Sequence, residues 1–176
     1  QIESILEKSL SVYKVNIEKL KDLDPDFIVT QAHCEVCAVS FSHVENITKE
    51  HLGPKTKIIS LQPNTLKEVF DDLERVANNL NINSTKTKKL INGLKKRIQN
   101  IQIISSELKK PKILCIEWSE PLMVAGNWMP EMIEIAGGKD VLGKKGSDSH
   151  WIKFENIIES DPDFIIFIPC GFNLKI

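Results

Sequence analysis

The residues with the most chemical potential form one short run, His33-Cys34-Glu35-Val36-Cys37. A Cys-x-x-Cys between a strand and a helix can carry thiol-disulfide chemistry, because a helix amino terminus lowers a thiol's pKa. The same run offers three zinc donors, His33, Cys34 and Cys37. Both readings lack a companion feature: no Trp precedes the first Cys, and no second close pair supplies a fourth zinc ligand. A local disulfide or a pair of small residues shaping a loop is the plainer expectation. Cys115 and Cys170 lie singly in apolar runs and read as small buried hydrophobes. No Ser-His-Asp arrangement, phosphate-cradling glycine loop or HExxH is present, so the expectation is a non-enzyme with no resident metal or cofactor.

A second constellation is "CIEWSEPLMVAGNWMPEM", residues 115–132. Glu117 and Trp118 end a strand, and Pro121, Gly126, Asn127 and Pro130 predict a loop holding Met123, Trp128 and Met129. Two of the three tryptophans are here. Large amphipathic rings beside a few polar groups suit a flat, partly apolar ligand; the alternative is that Trp118 or Trp128 plugs the core of its lobe. Glu131 and Glu134 fall in the first turns of the next helix, where they complement its dipole or meet a basic partner.

The positioning elements are announced by a repeat. "DPDFI" occurs at Asp24 and again at Asp161, each time followed by a cysteine-bearing loop. Proline cannot continue a helix comfortably and restricts the residue before it, so both copies predict a helix stop followed by an apolar strand. "FIVTQ" (27–31) and "KIISL" (57–61) read as strands buried in a parallel sheet, alternating with helical segments. Thr65 and Glu68 have capping-box spacing before a helix. The next helix, 84–108, carries Leu90, Leu94, Ile98, Ile101 and Leu108 at helical steps and would extend about 36 Å. Its lysines fall between these positions and predict a solvated face. Beyond it the pattern restarts: strand "KPKILCIEW", helix "PEMIEIAGG" with a glycine stop, helix "WIKFENIIESD", strand "DFIIFIPCG". The expectation is an α/β protein of two Rossmann-like lobes with parallel sheets: a first lobe over 1–83, a linking helix over 84–108 and a second lobe over 109–176. Ligands of open α/β sheets sit outside the carboxyl ends of the strands, which is where "HCEVC" and "PCGF" fall.

The bulk properties agree with a binding role. The 176 residues are 41% hydrophobic and 27% charged, with a formal net charge of -1. No basic field attracts a phosphate backbone, so nucleic acid is excluded as the expected partner. No apolar stretch reaches the roughly 18 residues needed to cross a bilayer. The opening "QIESILEKSL" reads as the interior of a helix or loop, and the carboxyl end stops just past a strand pattern, so a trimmed start and an incomplete end are expected.

"LKDLDPDFIVTQAHCEVCAVS", "EWSEPLMVAGNWMPEMIEIAGGKDVLG" and "IIESDPDFIIFIPCGF" together resemble the substrate-binding proteins of ABC importers for cobalamin and iron-chelate compounds, above all their cobalamin-binding-like branch. The resemblance covers nearly the whole chain, although the family's usual opening strands and closing helices are not found in it. It implies two lobes bridged by one long helix, with a small-molecule ligand between them. Carried over by position, Cys34, Glu35 and Cys37 would line the ligand site in the first lobe. Glu117, Trp118, Trp128, Met129, Cys170, Gly171 and Phe172 would line it in the second. Glu134 and Glu45 would meet arginines of a membrane permease. The implied protein is a monomer working outside the cytoplasm, periplasmic or extracellular, with any membrane anchor in a segment outside this chain. Its ligand would be a corrinoid, with a ferric siderophore or haem as the alternative. A thiol-disulfide or metal-handling protein using Cys34 and Cys37 is the alternative of another class.

Overall fold

The computed structural model describes residues 15–32 and 40–169. The chain divides into two compact units: residues up to Gln62 with Arg75–Ile82, and Pro63–Glu74 with Asn83–Ile176.

In the first unit, α1 (Ile17–Leu23) opens on Asn16, whose side chain accepts from the Lys19 N–H, and closes on Asp24 in the left-handed region at φ 40. Pro25 bars continuation, and β1 (Phe27–Gln31) follows. Helix α2 (Phe41–His51) is capped by Ser40 and turns Val44, Ile47 and Thr48 inward. Strand β2 (Lys57–Leu61) runs parallel to β1, from Phe27↔Lys57 to Gln31↔Leu61. The Asp-Pro corner is tied to the approach of β2: Lys55 pairs with Asp24, and Thr56 Oγ1 donates to the Pro25 carbonyl at 2.8 Å.

Helix α3 (Leu66–Asn79) belongs to both units, since the division falls between Glu74 and Arg75. Its start is the expected capping box: the Glu68 N–H donates to Thr65 Oγ1 at 3.3 Å, and the Thr65 N–H donates to Glu68 Oε2 at 3.0 Å. Its later half is fastened to β2 where Arg75 donates to the Ser60 carbonyl at 2.6 Å.

The second unit starts with α4 (Ser84–Ser106), capped by Asn83. The lysine-rich face is exposed as expected, but the inward stripe differs from the predicted one. Thr87, Ile91 and Ser105 are buried and Leu94 and Ile98 half-buried, whereas Leu90, Ile101 and Leu108 are 57%, 50% and 58% exposed. The stripe is rotated from the predicted one because a threonine and a serine occupy the seam: Ser105 Oγ donates to the Ile135 carbonyl at 2.6 Å, which satisfies its hydroxyl in that buried position.

The sheet of this unit is built on β3 (Lys112–Ser119), with β4 (Leu122–Val124), β5 (Lys139–Asp140), β6 (His150–Trp151) and β7 (Phe164–Phe167) around it. Its path runs β5-β3-β4-β6, with β7 also on β3. The β3·β5 and β3·β7 pairs are parallel and β3·β4 and β4·β6 antiparallel, so the sheet is mixed rather than all-parallel. Residues 113–116 are 0–9% exposed because both faces of β3 are covered. Ile113 and Cys115 pack with Ala125 and Ile133, the last from α5 (Met129–Ile135). Leu114 and Ile116 pack with Val124 and with Ile157 from α6 (Phe154–Ser160). The alternation of a strand thus sends odd residues to α5 and even residues to α6.

Helix α5 ends in a Schellman motif: the Gly138 N–H donates to the Ile133 carbonyl and the Gly137 N–H to the Glu134 carbonyl. Gly137 sits at φ +92, and a Cβ there would come within 2.9 Å of Ser105 Cβ. Helix α6 ends as α1 does, on an aspartate in the left-handed region (Asp161, φ 47), before Pro162 and β7. The two "DPDFI" segments are the same device in two units.

Candidate ligand-binding site

Strand β3 delivers Glu117 and Trp118 at its carboxyl end, beside the carboxyl end of the parallel β7. The chain leaves β7 along β3, the Ile168 N–H donating to the Ile116 carbonyl at 2.9 Å. The next expected site residues, Cys170, Gly171 and Phe172, lie outside the described residues. The indole of Trp118 is fixed at this tip: it is half-buried, stands opposite Met123 across the hairpin, and its Nε1–H donates to the Glu120 carbonyl at 2.9 Å. The segment expected to be loop from Trp118 onward is therefore partly β-hairpin.

Trp128 and Met129 lie elsewhere on the sheet. Strand β4 runs back along β3, so Val124 is opposite Ile116 and the Ala125 N–H donates to the Cys115 carbonyl. Trp128 follows at the N-cap position of α5, half-buried. Met129 packs on the Ile113, Cys115, Ala125 and Ile133 cluster. The loop between is tight. Asn127 has φ 53, and a Cβ on Gly126 would lie 2.3 Å from the Ser147 carbonyl oxygen.

In the first unit β1 ends at Gln31. The Ala32 N–H donates to the Leu61 carbonyl, and Gln62 Nε2 donates to the Ala32 carbonyl at 3.1 Å. Cys34, Glu35 and Cys37 follow in the sequence and lie outside the described residues, as does His33. Glu45 pairs with Lys49 at 3.2 Å on α2, and Glu134 is exposed on α5.

Burial pushes the Cys115 thiol up to about 11, with the charges of Asp140 and Glu117 adding to it, so it stays protonated and inert. Among the described residues no group of three His, Cys, Asp or Glu side chains is placed to hold a metal ion.

Two carboxylates matter more than the sequence reading allowed. Glu131 stands in the first turn of α5, where it was expected to complement the dipole or meet a basic partner; its Oε2 also accepts from the Leu66 N–H of α3 at 2.8 Å and its Oε1 pairs with Lys145 at 2.7 Å. Asp140 has no motif to announce it. Its Oδ1 accepts from the Leu142 and Gly143 N–H groups, while its Oδ2 is buried without a hydrogen bond among the described residues. Burial raises its pKa, the Gly143 and Leu142 N–H groups oppose this, Glu134 adds and His150 opposes, and the net shift is upward. A carboxyl whose folded pKa is raised favours the folded state at low pH and subtracts stability once both states ionise. Asp140→Asn keeps an acceptor for both N–H groups. It should therefore raise the thermal midpoint at pH 7 by up to a few degrees, with the gain vanishing towards pH 3 in a series of melting curves.

A family model described as periplasmic binding protein matches residues 8–175. No curated protein sequence matches significantly. Among solved structures, the chain is similar to the periplasmic vitamin B12 binding protein BtuF of Vibrio cholerae, at 16% identity and a TM-score of 0.63, covering 88% of this chain and 58% of that one. It is similar to S. aureus IsdE, solved complexed with heme, at 21% identity and 0.65, covering 90% and 59%. It is also similar to the periplasmic heme-binding protein RhuT from Roseiflexus sp. RS-1, at 18% identity and 0.66, covering 88% and 58%. At these identities the likeness is one of fold, and the chain spans under three fifths of each of these structures.

Proposed function

We propose, from the premise that the chain belongs to the periplasmic binding protein family, that it is the ligand-capturing component of an ABC importer and holds a corrinoid without covalent chemistry. It works outside the cytoplasm and passes its ligand to a membrane permease, with Glu134 and Glu45 as the docking carboxylates. The observation that carries the corrinoid reading is Trp118, an indole pinned by its own N–H at a strand tip beside Glu117. A rigid aromatic wall with one neighbouring charge suits a broad macrocycle with polar substituents. A haem or ferric chelate is the second reading, supported by the similarity to heme-binding structures.

All three tryptophans, Trp118, Trp128 and Trp151, lie in the second unit, so intrinsic fluorescence reports on this half of the site. Titration with cyanocobalamin, hemin and a ferric siderophore should give saturable quenching with cyanocobalamin at the lowest concentration. Trp118→Ala should weaken that binding about tenfold, equivalent to about 1.4 kcal/mol of lost stacking, with an unchanged melting curve. Tighter saturation by hemin would replace the corrinoid by the second reading. No saturation by any of the three up to about 10 μM, the level of a binding free energy of about 7 kcal/mol, would remove the proposal.

A further inference from the structure

The net charge of -1 hides an uneven distribution. Residues 84–112 hold nine of the 23 lysines and arginines and one of the 24 aspartates and glutamates, so this stretch carries +8 and the rest of the chain -9. Most of that charge stands on α4, which has no acidic residue between Ser84 and Ser106. A solvated helix face ordinarily interleaves both signs and gains from Glu-Lys pairs three or four residues apart. Here Lys86, Lys88, Lys89, Lys96 and Arg97 are all exposed, and none has an ion pair among the described residues. Lys95 differs, its ammonium lying 5.3 Å from the centre of the Phe70 ring of α3.

The arrangement is unfavourable for the helix itself. Lys86, Lys88 and Lys89 fall in its first two turns, where the amino end of the macrodipole favours anions, and no acidic residue of the first turn offsets them. At 3.6 residues per turn, Lys86, Lys89, Lys96 and Arg97 fall within about 100° of the helix circumference and over a length of about 16 Å. That arc is turned away from the buried Thr87, Ile91 and Ser105. Gly93 lies inside it, and a Cβ there would meet nothing within 4 Å. Glycine in a helix interior is a loss relative to alanine, and no packed neighbour among the described residues accounts for it. What it leaves is a flat strip between cations.

A row of unpaired cations along one side of a helix matches a surface of closely spaced anions. Lysine outnumbers arginine three to one in this row, whereas protein–protein interfaces are enriched in arginine and depleted in lysine. An ammonium is a strongly hydrated point charge without the planar fork that reads one fixed carboxylate. It suits lipid headgroups, which move to meet it. Clusters of this size are drawn to anionic leaflets, each cation adding to the attraction within a Debye length of the surface.

We propose that the outer face of α4 docks on an anionic membrane surface, with Lys86, Lys89, Lys96 and Arg97 against the lipid phosphates. This docking is independent of which ligand the protein holds.

Flotation with vesicles of phosphatidylcholine, alone or mixed with phosphatidylglycerol, tests it. The chain should float with the anionic vesicles at low salt and stay behind with the neutral ones. About 1 M salt, where the Debye length is about 3 Å, should release it. Lys89→Gln combined with Lys96→Gln should weaken the binding about thirtyfold, the effect of two cations beside an anionic leaflet, with an unchanged circular dichroism spectrum. The same change of charge by Lys19→Gln with Lys21→Gln, at exposed residues of α1 in the first unit, should leave the binding as it was. Equal behaviour with neutral and anionic vesicles overturns the proposal. Binding that survives the α4 double substitution overturns it too, as does binding weakened equally by the α1 pair, which would be an effect of net charge. Capture of the chain by soluble polyglutamate, without vesicle binding, overturns it in favour of an acidic polypeptide partner.

Discussion

Shortening Leu114 to alanine is expected to cost about 3 to 5 kcal/mol of the second unit's stability. Leu114 is 0% exposed in the middle of β3, packed between Ile116, Val124 and Ile157. Its neighbours come from three separate elements whose own backbone bonds hold them in place, so the space left by three carbons cannot collapse. The cost is therefore the lost transfer energy plus most of the cavity term. Urea unfolding followed by tryptophan fluorescence isolates this unit, because every indole is in it. Leu23→Ala, at a residue 66% exposed in the first unit, should change the same curve by less than about 0.5 kcal/mol. A Leu114→Ala loss below about 1 kcal/mol would mean that β3 is not covered on its even face.

The central position of β3 could be read from its residues, and the reason is physical. Four consecutive apolar residues with a cysteine among them have no solvent face to offer, which only a strand covered on both sides tolerates. The strands of "FIVTQ" and "KIISL" also begin and end at the residues expected, as do the two Asp-Pro corners that precede a strand in each unit, but the burial expected of those strands is not found: no residue of β1 is buried, Val29 being 47% exposed, and in β2 only Ile59 is buried, because among the described residues each of the two strands has only the other beside it. What stayed hidden was hidden by the absence of a local signature. Strand β4 has three residues and follows a Glu-Pro turn, not an Asn-Gly one, so nothing in "SEPLMV" announces a hairpin. Trp151 falls at the start of the helix expected over "WIKFENIIESD", because a two-residue strand, His150–Trp151, carries no period. Their strand exists only through its pairing with Met123 and Val124.

The candidate site divides in the same way. Glu117 and Trp118 could be placed at a strand end because the strand itself was legible. Met129 was grouped with them by sequence proximity, but the antiparallel return of β4 carries it back along β3 to the core cluster. Asp140 gave no signal because its significance lies in the burial of its carboxylate, which depends on chain segments far from it. Glu131 was visible as a first-turn glutamate, and only its long-range partners were out of reach.

Those partners make Glu131 the second large expected effect. Its carboxylate is 16% exposed, accepts from the Leu66 N–H and pairs with Lys145. Burial raises its pKa, but the Lys145 hydrogen bond, the Leu66 N–H and the Lys145 charge together outweigh it and leave the value below the ordinary 4.5. The stability this contributes is complete above that ordinary value and is lost as pH falls through the depressed folded one. Glu131→Ala leaves the first-turn N–H of α3 without its acceptor and should cost about 1 to 3 kcal/mol at pH 7, within the range for caps and for hydrogen bonds to charged groups. Glu131→Gln can still accept from Leu66 but loses the ion pair, so its loss at pH 7 should be smaller. Lys145→Gln, at a largely exposed residue, should lose least. The separating measurement is the pH series. Wild type should lose stability from pH 5 down to pH 3 more steeply than either Glu131 variant, and the Gln curve should meet the wild-type curve at the acid end. Because α3 passes from the second unit to the first at Glu74 and Arg75, its anchorage at Leu66 also decides how firmly the connecting helix is held to the sheet that carries Trp118. Amide exchange through the first turn of α3 should accordingly accelerate in Glu131→Ala while exchange in β3 stays slow. Equal acceleration in both would mean that Glu131 supports the whole unit and not this helix start.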